Sequence, residues 1–268
     1  MNVPGAQSAA VLAADEPPPF FELSRHGVSP FVIVVDHASA RIPRSLRDLG
    51  LPATELQRHV AWDIGALAMA KRVAVTLDAA LVAQNYSRLV IDCNRDPLVE
   101  SSIPVMSEAT AIPGNAGLSD AQKLARRREI FDPYHQRIRE LLDARAAAGR
   151  ATVLVAQHSM TDQYHGVRRE MHAAILYNRD RRFAGAMLES LRRDAALYIA
   201  DNEPYFVSDA TDYTIPRHGE ARGLPHVEIE VRQDLIVHEA GQAEWAERIS
   251  RALLESHKAF VSGTLKTT

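Results

Sequence analysis

Short apolar runs alternate along this chain with stretches whose apolar residues recur every three or four positions, the pattern of strands interleaved with helices. Residues 31–35, Phe-Val-Ile-Val-Val, form a β-branched run that reads as a strand buried on both faces, and it stops at the polar string Asp36-His37-Ala38-Ser39. Thr54 with Gln57 three positions on has the form of a capping box. Leu56, Val60, Leu67, Ala70 and Val73 keep helical spacing to about Leu77, which predicts one long helix carrying His59 and Asp63. Residues 81–83 and 89–91 predict two further strands, with Asn85-Tyr86-Ser87-Arg88 between them and Asp92-Cys93-Asn94-Arg95 at the exit.

The second half repeats the theme. Proline and glycine mark residues 103–118 as loop, and a capping box at Ser119 and Gln122 opens a helix that runs, interrupted at Pro133, to Gly149. Residues 152–156 predict a strand ending at Gln157-His158-Ser159, and 173–176 another, ahead of a helix over 181–194. Residues 201–224 read as irregular surface loop, 227–231 as strand and 243–260 as amphipathic helix. Strands separated by helical segments predict an α/β fold: a three-layer sandwich with a mostly parallel central sheet and helices on both faces. Residues 1–20 read as a loose tail, and 21–268 as a single domain.

Composition narrows the function. Of 268 residues 46% are hydrophobic, ample for a full core, and 31 Lys+Arg against 34 Asp+Glu leave a net charge of −3 with no basic band. Nucleic acid is therefore not an expected partner. No run approaches the ~20 consecutive apolar residues that cross a bilayer, so no membrane span is expected. Asp15, Glu16 and Pro17-Pro18-Pro19 stand where a secretory leader needs small neutral residues, and the single Cys93 excludes an internal disulfide; both fit a cytoplasmic protein. The oligomeric state is not legible. One cysteine also excludes a multi-thiolate metal site, leaving eleven histidines and the carboxylates as ligands.

Ligands of open α/β sheets gather outside the carboxyl ends of the strands, which directs attention to His37, Asp92 to Arg95, His158 and the group Glu228, Glu230 and Arg232. Two histidines at strand ends and an aspartate after the first have the composition of a two-His, one-carboxylate zinc site with a fourth position open to water. The plain alternative is two histidines that hydrogen-bond loops. Glu228, Glu230 and Arg232 alternate and so share one strand face, either in a functional interior or as an ion pair at a sheet edge.

Five strings carry a likeness: Asp36-His37-Ala38-Ser39-Ala40-Arg41-Ile42-Pro43, Ala61-Trp62-Asp63-Ile64-Gly65-Ala66, Tyr86-Ser87-Arg88-Leu89-Val90-Ile91-Asp92-Cys93-Asn94-Arg95, His158-Ser159-Met160 and Glu230-Val231-Arg232-Gln233-Asp234-Leu235. In order, over about residues 30–240, they resemble the N-formylglutamate amidohydrolase family, a branch of the zinc carboxypeptidase and aspartoacylase-like hydrolases. The resemblance implies a phosphorylase/hydrolase-like sandwich holding one zinc ion, with His37 and His158 as ligands. Related carboxypeptidases take a glutamate three residues after the first histidine; here that position is Ala40, so the carboxylate ligand comes from elsewhere, with Asp63 as the candidate. Arg88, Asn94 and Arg95 resemble elements that grip a substrate carboxylate, Glu230 with Arg232 resembles the general-base glutamate and its neighbour, and His218 matches a family histidine that either lines the site or is a loop residue.

The implied reaction is hydrolysis of the N-acyl amide of an acidic amino acid such as N-formyl-L-glutamate. The alternatives are a related deacylase or carboxypeptidase-like enzyme with another carboxylated substrate, and a non-catalytic carboxylate-binding module. His59, four residues before Asp63 on the same expected helix face, reads first as a partly buried helix histidine, with an alternative ligand or an outer partner of the metal as the other readings. Ser39 and Ser159 lie in no nucleophile elbow, and Trp62, Tyr86, Cys93 and His135 read as core.

Overall fold

The computed structural model of the protein describes residues 10–263. Seven strands make the central sheet: β1 (Phe20–Leu23), β2 (Phe31–Val35), β3 (Ala80–Gln84), β6 (Val153–Met160), β9 (Ala173–Leu176), β10 (Ile199–Asp201) and β11 (His226–Arg232). Two small hairpins stand outside it, β4 (Met106–Ser107) with β5 (Thr110–Ala111), and β7 (Gln163–Tyr164) with β8 (Val167–Arg168). The sheet order is β1-β3-β2-β6-β11-β9-β10. Pairs β2–β3, β2–β6, β6–β11 and β9–β10 are parallel, while β1–β3 and β9–β11 are antiparallel.

The sheet is mostly parallel and apolar on both faces, so helices must cover both. Val32, Val34, Val82, Leu154 and Leu176 point to one side, where Tyr134, Ile138 and Leu142 of α4 (Asp132–Ala147) pack on them. Ile33, Leu81, Val155, Ile175, Val227 and Ile229 point to the other, covered by α2 (Ala66–Leu77), α5 (Arg182–Leu191) and α6 (Glu239–Val261). The expected three-layer sandwich is the observed fold. The chain runs from β2 outward to β3 and then returns past β2 to β6, so a crevice opens at the carboxyl ends of β2 and β6, where an α/β sheet binds its ligand.

Four local expectations are corrected. The helix expected over 54–77 is two helices, α1 (Ala53–Leu56) and α2, because Gly65 takes a left-handed φ of 80° between them. A Cβ there would collide with the Ile236 carbonyl oxygen, so only glycine permits the break. His59 and Asp63 therefore lie on a turn, not on one helix face. Residues 89–91 are turn, not strand: the Val90 amide donates to the Ser87 carbonyl, and the Ser87 hydroxyl donates to the Ala61 carbonyl. Residues 201–224 are largely irregular, but Thr214, Ile215 and His218 are buried. The loose tail expected over residues 1–20 does not hold for residues 11–17, which dock on the domain. Val11 is buried, the Val11 and Leu12 amides both donate to the Glu129 carboxylate, and the Tyr86 hydroxyl donates to the Pro17 carbonyl; residues 1–9 lie outside the described residues.

The predicted capping box at Ser119 and Gln122 is present and opens α3 (Asp120–Arg126). A π turn over Arg127–Phe131 carries α3 into α4 with helical backbone throughout; the Asp132 amide donates to the Arg127 carbonyl, and Pro133, which has no N–H to give, sits where the wider turn ends.

Candidate functional site

The crevice deepens into a cleft of about 670 Å³ lined by His37, Asp63, Arg88, Asp92, His158, Glu228 and Glu230 among others. His37 follows β2 directly. Asp63 is drawn to it by the backbone, its amide donating to the His37 carbonyl at 2.9 Å. His158, in the outer half of β6, faces both. Asp63 Oδ2 lies 2.9 Å from His158 Nδ1 and 3.4 Å from His37 Nδ1, and the two imidazole centroids are 5.0 Å apart. Two imidazoles and a carboxylate, distant in sequence and all buried, thus offer one ligand atom each within 4.8 Å of one another.

Two further carboxylates fix this arrangement. Asp92 Oδ1 sits 2.7 Å from His37 Nε2, which directs the Nδ1 of that ring inward with no hydrogen-bond partner. Asp36 Oδ2 lies 3.4 Å from His158 Nε2, and its Oδ1 accepts from the Tyr134 and Thr214 hydroxyls. A carboxylate behind an imidazole sets the ring's orientation and raises its basicity as a ligand. His37 Nδ1 faces Asp63 and His158 buried and without a hydrogen bond, which is costly unless something charged completes the set. The donor set fits a divalent cation: His37, Asp63 and His158 can hold a metal ion, with imidazole and carboxylate as its ligands.

The electrostatics agree. Burial works against charge on His158, yet Glu228, Asp36 and Asp63 raise its pKa well above the ordinary value. Burial and Arg88 oppose charge on His37, and Asp92 and Asp63 outweigh them. The pocket is built to hold positive charge at its centre. Against it stand Glu228 and Glu230, whose carboxyl pKa values burial pushes up. Glu230 pairs in register with His158 across β6 and β11. Its Oε1 accepts from the Tyr205 hydroxyl at 2.8 Å and its Oε2 has no partner, leaving one oxygen free toward the cleft.

The other expected residues divide. Arg88 lines the cleft and bridges Asp63 (3.2 Å) and Asp92 (3.1 Å), so its charge is already matched. Asn94 also lines it, but its amide is engaged by Asp212 and by the backbone amides of Tyr213 and Thr214; it braces the loop. Arg95 donates to the Thr211 carbonyl at the rim.

Two residues do not reach the cleft wall. Arg232 gives its donors to Asp234 and to the carbonyls of Arg169, Glu170 and Met171, pinning the turn before β9. His218 lies behind the site, stacked on His135 and sharing a 2.9 Å hydrogen bond with it. His59 faces Glu108 at the rim, away from the metal-ligand group.

The sequence reading passed over Asp36 and Asp92 as partners of the histidines, Tyr205 as partner of Glu230, and Arg169. Asp36 and Asp92 sat inside the quoted strings; Tyr205 and Arg169 lie in segments that carried no motif.

Residues 29–237 match the N-formylglutamate amidohydrolase family. The chain belongs to this family. The crystal structure of a gene product of Agrobacterium tumefaciens is 38% identical, with a TM-score of 0.91 over 94% of this chain and 99% of that one. The N-formylglutamate amidohydrolase of Ralstonia eutropha JMP134 shares the fold at 18% identity, with a TM-score of 0.67 over 92% of this chain and all of that one. No curated protein matches the sequence. Membership makes the chain an amidohydrolase of the N-formylglutamate type. No helix among the described residues is long and apolar enough to cross a membrane.

Proposed function

We propose that this protein is a zinc-dependent hydrolase of small anionic N-acyl amino acids, with N-formyl-L-glutamate as the reference substrate and formate and glutamate as its products. The observation that carries the reading is the convergence of His37, Asp63 and His158 opposite a buried Glu230 with one free oxygen.

His37, Asp63 and His158 would hold the zinc. A zinc ion bound there supplies Lewis acidity, lowering the pKa of water and polarising the acyl oxygen. Glu230 takes the proton from the attacking water as its oxygen bonds to the acyl carbon. The same carboxyl then gives a proton to the amide nitrogen as the carbon–nitrogen bond breaks, so the base is regenerated. Burial serves both halves of this cycle, because a carboxyl with a raised pKa holds its proton long enough to deliver it. Tyr205 keeps Glu230 in place through the oxygen that the reaction does not use. Arg88, bridged to Asp63 and Asp92 and partly open to the cleft, holds both carboxylates in place beside the reacting atoms.

The cleft volume lies in the range that encloses drug-sized ligands, whereas N-formylglutamate has about a dozen non-hydrogen atoms. That favours a second reading within the same chemistry, a substrate whose acyl group or amine is larger than formyl or glutamate. Formate release measured beside the release of longer acyl groups from the same amino acid tests both. Activity on a longer acyl group alone would replace the reference substrate; activity on none would refute the hydrolase reading.

A further inference from the structure

We propose that Arg169, held between Tyr164 and Tyr205 at the mouth of the cleft, is the specificity-determining residue that anchors a substrate carboxylate. This rests on the hydrolase reading above and assigns its selectivity to a residue outside the family-like strings.

The cationic side chains of the cleft differ in what already neutralises them. Arg88 is paired with Asp63 and Asp92, and Arg95 lies 3.9 Å from Asp92 while donating to the Thr211 carbonyl. Arg169 lines the same cleft, is half-buried, and has no carboxylate partner among the described residues; the one hydrogen bond of its side chain among them is a 3.3 Å contact to the Thr161 carbonyl. Its guanidinium carbon lies 5.2 Å from the Tyr164 ring centroid and 5.5 Å from that of Tyr205. Two aromatic neighbours limit the rotamers of a long side chain without neutralising its charge, so the planar fork of donors is set in advance for a carboxylate. The Tyr205 hydroxyl rests on Glu230 Oε1, so Arg169 stands one tyrosine ring away from the catalytic base. A carboxylate on Arg169 therefore leaves the rest of a short chain to extend along the Tyr205 ring toward Glu230.

The test compares zinc-loaded wild type, Arg169→Gln and Arg169→Lys on N-formyl-L-glutamate, N-formyl-L-glutamine and N-formyl-L-isoglutamine. The two amides neutralise the side-chain and the α-carboxylate in turn. In the wild type, neutralising the anchored carboxylate lowers kcat/KM by about 100-fold, as expected when a site loses a charged hydrogen-bonding partner. In Arg169→Gln that penalty falls to within about threefold, and Arg169→Lys restores part of it. If both amides keep their wild-type penalties in Arg169→Gln, the inference is overturned while the hydrolase reading stands. If the wild type cleaves none of the three, N-formyl-L-glutamate fails as the reference substrate, and calorimetric titration with glutarate decides the fate of Arg169. At least tenfold weaker glutarate binding in Arg169→Gln supports the anchor; equal binding, or no binding to wild type, overturns it.

Discussion

Two pairs of buried histidines lie close together in this protein and behave in opposite ways. His37 and His158, with centroids 5.0 Å apart, are flanked by Asp36, Asp63 and Asp92, and their affinity for protons is raised. His135 and His218, 5.2 Å apart, have aromatic and backbone neighbours instead. Burial lowers His135 to about 4, and burial together with His135 lowers His218 to about 2. The His135 Nε2–H donates to the Cys93 carbonyl, so its Nδ1 must accept from His218, and both rings are neutral. Burial is the same in the two pairs. The carboxylates decide which pair favours positive charge and could hold a cation, and which stays neutral packing.

The widest gap between the pairs is expected on truncation. His158→Ala should reduce bound zinc from one per chain to none and formate release by about 1000-fold or more, since metal chemistry supplies several kcal/mol of the barrier reduction. His218→Phe should leave zinc stoichiometry unchanged. Elemental analysis of both variants checks this, and equal zinc loss in the two would erase the distinction. Next in size, Asp92→Asn should weaken zinc affinity 10- to 100-fold by removing the carboxylate behind His37, as read in a chelator competition.

The packing pair should be visible in acid. The folded pKa of His135, about 4, lies below its ordinary 6.5, so as pH falls the unfolded chain takes the proton first. Its stabilisation is whole above pH 6.5 and is lost as pH falls toward 4, by about 3 kcal/mol. Denaturant midpoints across that window should slope less in His135→Gln than in wild type; parallel slopes would show that His135 is not held neutral. The smallest effect concerns His59, which has a carboxylate partner, Glu108 at 2.8 Å, but sits at the partly exposed rim. His59→Ala should cost less than about 1 kcal/mol and leave zinc content intact, showing that one acid neighbour does not make a metal ligand.

Legibility in the sequence followed the same division between local and distant causes. The apolar runs at 31–35, 152–156 and 227–231 announced central strands, and His37 and His158, which follow the first two, proved to line the cleft, because a buried strand needs an apolar body and a ligand needs a polar end. The Ser119 capping box is local chemistry and was equally readable. The break at Gly65 was hidden, since helical spacing runs on through it and only the approach of Ile236 explains the left-handed turn.

The roles of Asp36 and Asp92 depend on which ring the fold sets before each carboxylate, a fact with no signature in spacing. Arg232 and Arg169 show the limit from both sides. Alternation placed Arg232 on the face of Glu230, but it stands at the strand end, where Asp234 and three carbonyls capture it. Arg169 follows a two-residue strand too short to read, yet its guanidinium reaches the cleft.

Zinc titration into chelator-stripped protein, with formate release from N-formyl-L-glutamate as the readout, tests the shared cation directly. Activity absent at the start, rising in proportion to added metal and levelling at one equivalent per chain, is the predicted result. Undiminished turnover in the stripped protein would contradict it.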